Sequence, residues 1–215
     1  MKNILIIGAG RFGSFATMKL HDLGHQTLVI DKDESRINRI LPHASEARIG
    51  DSTDEAFMKT IGVHSYDVCL VSIGDDFLSS LQTTFTLSEL GAKKVIARAT
   101  SSRQEKFLLR NGADEVIYPE KQLAQWAAIR YSSEHILDYI ELDGEHAVLE
   151  VNIPEQWLGK TVIQLDIRKK YNLNIMGFRQ GEKLSLVVTP DTVLTEDKTL
   201  MVLGRLKDIQ KCFKI

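Results

Sequence analysis

The stretch Ile4–Leu20, ILIIGAGRFGSFATMKL, decides how the first part of this chain folds. Its four leading apolar residues read as a buried strand, and the pattern from Arg11 onward is that of a helix. Between them Gly8, Gly10 and Gly13 stand in the spacing G-x-G-x-x-G. In a strand–turn–helix context each glycine has its own task. The first permits the tight turn, the second lets a phosphate approach the backbone, and the third lets the helix pack on the sheet. The helix start then offers free N–H groups and a positive dipole end to that phosphate. Either an oxidoreductase or a nucleotide-binding protein of another kind could use such a turn.

Outward from this turn, strand and helix alternate with little slack. NILIIG, QTLVID, EARIGD, YDVCLVSI, KKVIARA and DEVIYP read as strands with few polar interruptions, as expected when both faces are covered. The helical segments between them include one after Gly10, with Phe12, Phe15, Leu20 and Leu23 as the expected inward stripe. Another carries Phe77, Leu78, Leu81, Phe85 and Leu90; Gly24 and Gly91 close the two. This alternation predicts an α/β fold, a Rossmann-like doubly wound parallel sheet with right-handed crossovers. A long helix is expected from about Pro119. Beyond it the turns DGEH, RQGEKL and LTEDKT separate short strands, which predicts a small α+β C-terminal domain. The division is placed near Leu137, giving a nucleotide-binding domain of residues 1–137 and a small domain of residues 138–215.

Composition narrows the function without naming it. The 215 residues carry a formal net charge of -2, with 43% hydrophobic and 26% charged residues, ordinary values for a soluble globular chain that does not favour nucleic acid. No apolar run is long enough to span a bilayer, and the N-terminus reads as a strand, not a signal peptide. Cys69 lies in an apolar strand and Cys212 near the end of a charged helix, so a disulfide is not expected and the reading is cytosolic. The histidines lie in charged or turn-like stretches without metal-ligand spacing.

The candidate site residues follow the strand ends. Gly8, Ala9, Gly10, Arg11, Phe12 and Gly13 form the turn. Asp31, ending the second strand, stands near the spacing of about 20 residues at which an acid holds ribose hydroxyls. A carboxylate there repels a 2′-phosphate, which favours NAD(H), ATP, ADP or AMP over NADP; the alternative makes Asp31 a helix cap. Asp33 follows it. Asp51, Ser52 and Thr53 close the third strand at the adenine edge, although Ser52 and Glu55 also read as a capping box. Ser72, Ile73 and Gly74 end the fourth strand at the same edge, and Arg98 ends the fifth as a second positive group. Arg11 can supply a charge-assisted donor to a distal phosphate. Glu120, after Pro119, reads first as an ordinary acid in the opening turn of a helix.

The succession IIGAGRFG, VIDKDESRI, GDSTDE, VSIGDD and GADEVIYPEK resembles the RCK domains, regulators of potassium conductance in Trk/Ktr-type uptake systems and some potassium channels. The tail, with LDIRKKYNLNIMGFRQG and TPDTVLTEDKTLMVLG, is similar to that family's small C-terminal domain. The resemblance implies a cytosolic subunit without chemistry of its own, lying at the inner face of the membrane through a membrane-embedded potassium transporter or channel subunit. It implies a homodimer, assembled in rings of eight, whose shape shifts with ATP, ADP or NAD(H). It implies that Arg11 reaches the terminal phosphate from a neighbouring subunit and that Glu120 helps hold a divalent or monovalent cation at the dimer interface. A second ligand, cyclic di-AMP, is implied at Val162, Ile163, Asp166, Arg168, Asn174, Ile175 and Pro190. The competing expectations are a small NAD-dependent oxidoreductase, for which no acid/base residue stands out, and a nucleotide or redox sensor acting on another partner.

Overall fold

Strand β1 (Asn3–Ile7) lies in the middle of a six-stranded parallel sheet because it is apolar on both faces. In a computed structural model describing residues 1–214, Leu5 and Ile7 enter the core on one side of the sheet and Ile4 and Ile6 the core on the other. The remaining strands are β2 (Gln26–Asp31), β3 (Glu46–Ile49), β4 (Val68–Val71), β5 (Val95–Arg98) and β6 (Glu115–Ile117), in the spatial order β3-β2-β1-β4-β5-β6. The helices between them are α1 (Arg11–Asp22), α2 (Glu34–Ile40), α3 (Glu55–Ile61), α4 (Phe77–Glu89) and α5 (Ser102–Arg110). All six expected strands are present, and the strand order reverses between β1 and β4. That switch point opens a crevice at the carboxyl ends of the strands.

The helix faces bear out part of the expected stripes and correct the rest. Phe15 and Leu23 on or just after α1 are exposed, as are Leu78 and Phe85 on α4. The faces turned inward carry Gly13 and Thr17 on α1, and Ser80, Thr83, Thr84 and Leu87 on α4. Hydroxyl residues can be buried there because their own helix satisfies them. Thr17 donates to the Gly13 carbonyl at 2.8 Å, and Thr84 to the Ser80 carbonyl at 2.8 Å. Small side chains let these helices lie close to the sheet, while Phe12 and Leu20 on α1, and Phe77, Leu81 and Leu90 on or just after α4, pack on the core from half-buried positions as expected. The expected capping box is also corrected: Asp54, not Ser52, caps α3 by accepting from the Ala56 and Phe57 N–H groups. Ser52 is buried with its hydroxyl paired to that of Thr83 at 2.8 Å.

The chain divides into two compact units, Met1–Glu120 and Lys121–Ile215. Helix α6 (Pro119–Arg130) begins at the end of the first, and its Trp126 and Ile129 pack on the second unit's core. The compact division therefore falls in the first turn of that helix, upstream of Leu137. The second unit holds β7 (Ile136–Glu141), β8 (His146–Asn152), α7 (Val162–Leu165), α8 (Ile167–Tyr171), β9 (Asn174–Gln180), β10 (Lys183–Ser185), β11 (Lys198–Arg205) and α9 (Leu206–Phe213). Its strands form an antiparallel sheet in the order β10-β9-β11-β8-β7, the small α+β arrangement expected. Glu150 on β8 accepts from Arg179 on β9 at 2.9 Å and from Thr199 on β11 at 2.6 Å, tying three strands by one buried carboxylate. Both cysteines are free and buried, and burial pushes their thiols up to about 12.

Two outcomes test this packing. A Cβ on Gly13 would overlap the Gly8 carbonyl oxygen and lie 2.5 Å from Ser72 Oγ, with no flexible neighbour to yield. Gly13→Ala should therefore lower stability by roughly 1–3 kcal/mol in urea unfolding; an unchanged midpoint contradicts the seating of α1. The carboxylates of Asp33, Asp51 and Asp76 are held below their ordinary range, chiefly by the Ser35 hydroxyl, the Thr53 N–H and the Ser79 hydroxyl respectively. Depressed folded-state values contribute stability that is complete above the unfolded pKa and lost as pH falls through the folded one. Urea midpoints should be insensitive to these groups above about pH 5 and fall below about pH 4. The decline should be shallower in Asp33→Asn.

Candidate functional site

The crevice at the switch point is a cavity of about 670 Å³ lined from the ends of β1, β2, β4 and β5 and from the first turn of α6. The turn residues Gly8, Gly10, Arg11 and Phe12 line it, with Asp31, Asp51, Ser52, Ser72, Ile73, Gly74, Arg98 and Glu120. Four expected residues stand outside the lining, and each has a structural task. Ala9 donates its N–H to Asp31 Oδ2 at 2.7 Å. Gly13 seats α1 against the turn. Asp33 caps α2 by accepting from the Ser35 and Arg36 N–H groups. Thr53 donates its N–H and hydroxyl to Asp51 Oδ1 at 2.9 and 2.7 Å, orienting that carboxylate. In this chain these four stand beside the cavity and support its walls.

Asp31 is nearly buried, and its two oxygens are turned to backbone donors. Oδ2 takes the Ala9 N–H and Oδ1 the Asp33 N–H at 2.9 Å, while Arg36 Nη1 lies 3.5 Å from Oδ2. The carboxylate thus ties the glycine turn to the end of β2, and the helix-cap role expected as its alternative falls to Asp33. Ser72 acts from below: its hydroxyl donates to the Gly8 carbonyl and lies 3.0 Å from the Ile7 carbonyl.

Charge is unevenly distributed around the cavity. One cluster gathers Asp51 and Asp76 around Lys32, whose positive charge helps keep both carboxyls ionised. The other gathers Arg11, Arg98 and Glu120. Arg98 Nη2 donates to Glu120 Oε1, its guanidinium carbon lies 5.9 Å from the Phe12 ring centroid, and its buried Nε has no hydrogen-bond partner. Gly74 is the glycine over which that guanidinium lies; a Cβ there would overlap Nη1. The Glu120 carboxyl is held below its ordinary range, first by its own backbone N–H, against the opposing effect of burial, then by Arg98 and the charge of Arg11. Among the lining residues that sequence reasoning did not name are Phe15, Lys32, Arg36, Asp76 and Ser79. Lys32 was legible as the residue after Asp31; Phe15 was hidden by its assignment to the core.

The expected cation site gains no ligand set within one chain. Among the described residues no group of three or more His, Cys, Asp or Glu could hold a metal ion, and Glu120 is paired with Arg98. In the second unit, the residues expected around cyclic di-AMP are drawn together by the backbone. The Val162 N–H donates to the Thr192 carbonyl and the Ile163 N–H to that of Pro190, at 3.1 and 3.0 Å. Asp166 ends α7 in a left-handed conformation, Arg168 Nε donates to Asn174 Oδ1 at 2.7 Å, Ile163 is exposed, and Val162 and Ile175 pack on the core.

Comparison with known proteins agrees with this two-part reading. Residues 4–119 match the TrkA-N domain model and residues 147–215 the TrkA-C domain model. The Ktr system potassium uptake protein C of Bacillus subtilis is 35% identical over 210 residues, covering 98% of this chain and 95% of that protein. The Ktr system potassium uptake protein A of the same organism is 30% identical with the same coverage. Among solved structures, the GsuK RCK domain superposes with a TM-score of 0.68 at 21% identity, over 97% of this chain and 46% of that one. The GsuK channel bound to NAD gives 0.69 at 19% identity, over 96% of this chain and 38% of that one. These likenesses share the fold. With both domain models matched in order and relatives alike over nearly their full length, the chain belongs to the RCK family of TrkA-N/TrkA-C proteins.

Proposed function

We propose that this chain is a nucleotide-binding regulatory subunit of a potassium-uptake system, with no catalytic chemistry of its own. The observation that carries the reading is Gly10. Its backbone is extended, a conformation open to any residue, and a Cβ there would meet nothing nearer than Arg36 Nη1 at 4.0 Å. The protein's own packing gives no reason for a glycine at that point, whereas a phosphate lying on the helix N-terminus does. The ligand is ATP/ADP or NAD(H), with its ribose toward Asp31 and its phosphates toward Arg11 and Arg98. The relatives' naming as potassium uptake proteins supports a membrane-embedded transporter or channel as the partner. No helix among the described residues is long and apolar enough to cross a membrane. The chain is then cytoplasmic and held at the membrane by its partner.

The remaining assignments belong to the same reading. The functional division lies at about residue 137. The subunits form a homodimer within an octameric ring, where Glu120 meets a cation beside a neighbour's phosphate and residues 162–190 receive cyclic di-AMP. Gating requires only that the nucleotide bind two ring shapes with different affinity.

Equilibrium binding of ATP, ADP and NADH, with mass measurement in solution, tests the whole. A multimer that binds ADP or ATP without consuming it is expected; a monomer that oxidises NADH against a small substrate overturns the reading. Gly10→Ala should cost no more than about 1 kcal/mol of stability, yet weaken nucleotide binding at least about tenfold. Retained affinity would remove the argument from Gly10. Arg11→Ala, measured on the assembled protein, should weaken ATP more than AMP, because only ATP has the distal phosphates; equal losses contradict its role.

A further inference from the structure

Arg98 is the cavity cation that combines enclosure with an unpaired N–H. It is largely enclosed, with its side chain 17% exposed, yet its Nε–H has no acceptor and its one ionic partner, Glu120, is itself 55% exposed. A buried guanidinium N–H left unpaired is costly, and guanidinium prefers planar, two-pronged oxygen acceptors. Glu120 takes Nη2, Gly74 lies against Nη1, and Nε is enclosed. The Phe12 ring beside the guanidinium and the bare α-carbon of Gly74 against Nη1 limit where it can swing. It therefore stays at the mouth of the glycine turn, in the cavity assigned above to nucleotide.

We infer that Arg98 is the residue that senses ligand phosphate, and that Glu120 is its built-in competitor: an arriving phosphate takes the guanidinium and releases the carboxylate. The exchange breaks no covalent bond. It swaps a half-exposed carboxylate on Nη2 for a phosphate there, so it favours ligands whose negative charge reaches Arg98. Glu120 is engaged by Arg98 before the exchange and free afterwards, which orders any cation binding at Glu120 behind nucleotide. The inference rests on the nucleotide reading of this cavity and adds to it a rule for which ligands are retained.

A double-mutant cycle on the full-length protein tests it, with ADP affinity measured by calorimetry in EDTA for wild type, Glu120→Gln, Arg98→Gln and the double variant. Removing the competitor should tighten ADP by about three- to tenfold when Arg98 is present, a gain of about 0.7–1.4 kcal/mol. In the Arg98→Gln background the same change should alter affinity less than about twofold. An equal gain in both backgrounds means that Glu120 only repels phosphate through its field, and overturns the exchange; so does no gain, or a loss, in Glu120→Gln alone. If Arg98→Gln does not fold, the wild-type crystal structure with ADP decides. Arg98 on a phosphate with Glu120 released supports the inference, and Arg98 still on Glu120 without phosphate contact overturns it. Wild type that binds no adenine nucleotide defeats the nucleotide reading itself; wild type that binds ADP without coupling defeats only the exchange.

Discussion

The first unit depends on one close approach, the contact of Gly13 on α1 with the carbonyl of Gly8 at the end of β1. It fixes the depth at which α1 sits on the sheet, and with it the direction of the free N–H groups at the helix start. The turn between them starts from the Gly8 N–H on the Ile30 carbonyl and is held by side chains from two sides. Asp31 accepts the Ala9 N–H from the β2 side, and Ser72 donates to the Gly8 carbonyl from the β4 side. Both residues sit at strand ends next to β1, so the parallel pairing β2-β1-β4 is what brings an acceptor and a donor to the same turn. A loop of this kind would be mobile alone; here it is preorganised before any ligand arrives.

The cavity above the turn is electrically divided. Carboxylates supported by Thr53 and Ser79, with Lys32 among them, stand in one cluster, and Arg11 and Arg98 stand in the other. A ligand with hydroxyls or exocyclic amines at one end and phosphates at the other suits that division, because carboxylates accept from the first and guanidinium groups donate to the second. Within the protein's own groups Arg98 keeps one unpaired N–H, and Glu120 supplies its partner from the first turn of α6. The site is thus organised for a charged ligand at a cost in internal pairing, the usual trade between function and local satisfaction.

How much of this was legible in the sequence differs from element to element. The strands and their parallel pairing were legible because apolar runs of that length and spacing have few other solutions. The glycine spacing marked the turn, and strand-end positions marked most of the cavity lining. The helix stripes were misread at Phe15, Leu78 and Phe85, since ranking residues by hydrophobicity ignores how closely a helix can approach a sheet. Buried Thr17 and Thr84 are polar only until their hydroxyls bond back to their own helix. The capping role of Asp33 and the hold of Thr53 on Asp51 were not legible, because a cap and a ligand acid use the same side chains at the same strand ends. The small second domain was legible from its turns; the three-strand tie through Glu150 was not, because its partners are remote in sequence.

The sequence by itself determined the alternation that folds the first unit, the glycine turn, and the acidic and basic residues that follow the strands. Periodicity and spacing are local properties, and they were enough. Only the tertiary structure decided which of those residues face the cavity and which support it. It alone placed Arg98 against Glu120, twenty-two positions away, and left one guanidinium N–H unpaired. That outcome depends on distance and enclosure in three dimensions, which strand pairing sets and no local pattern records.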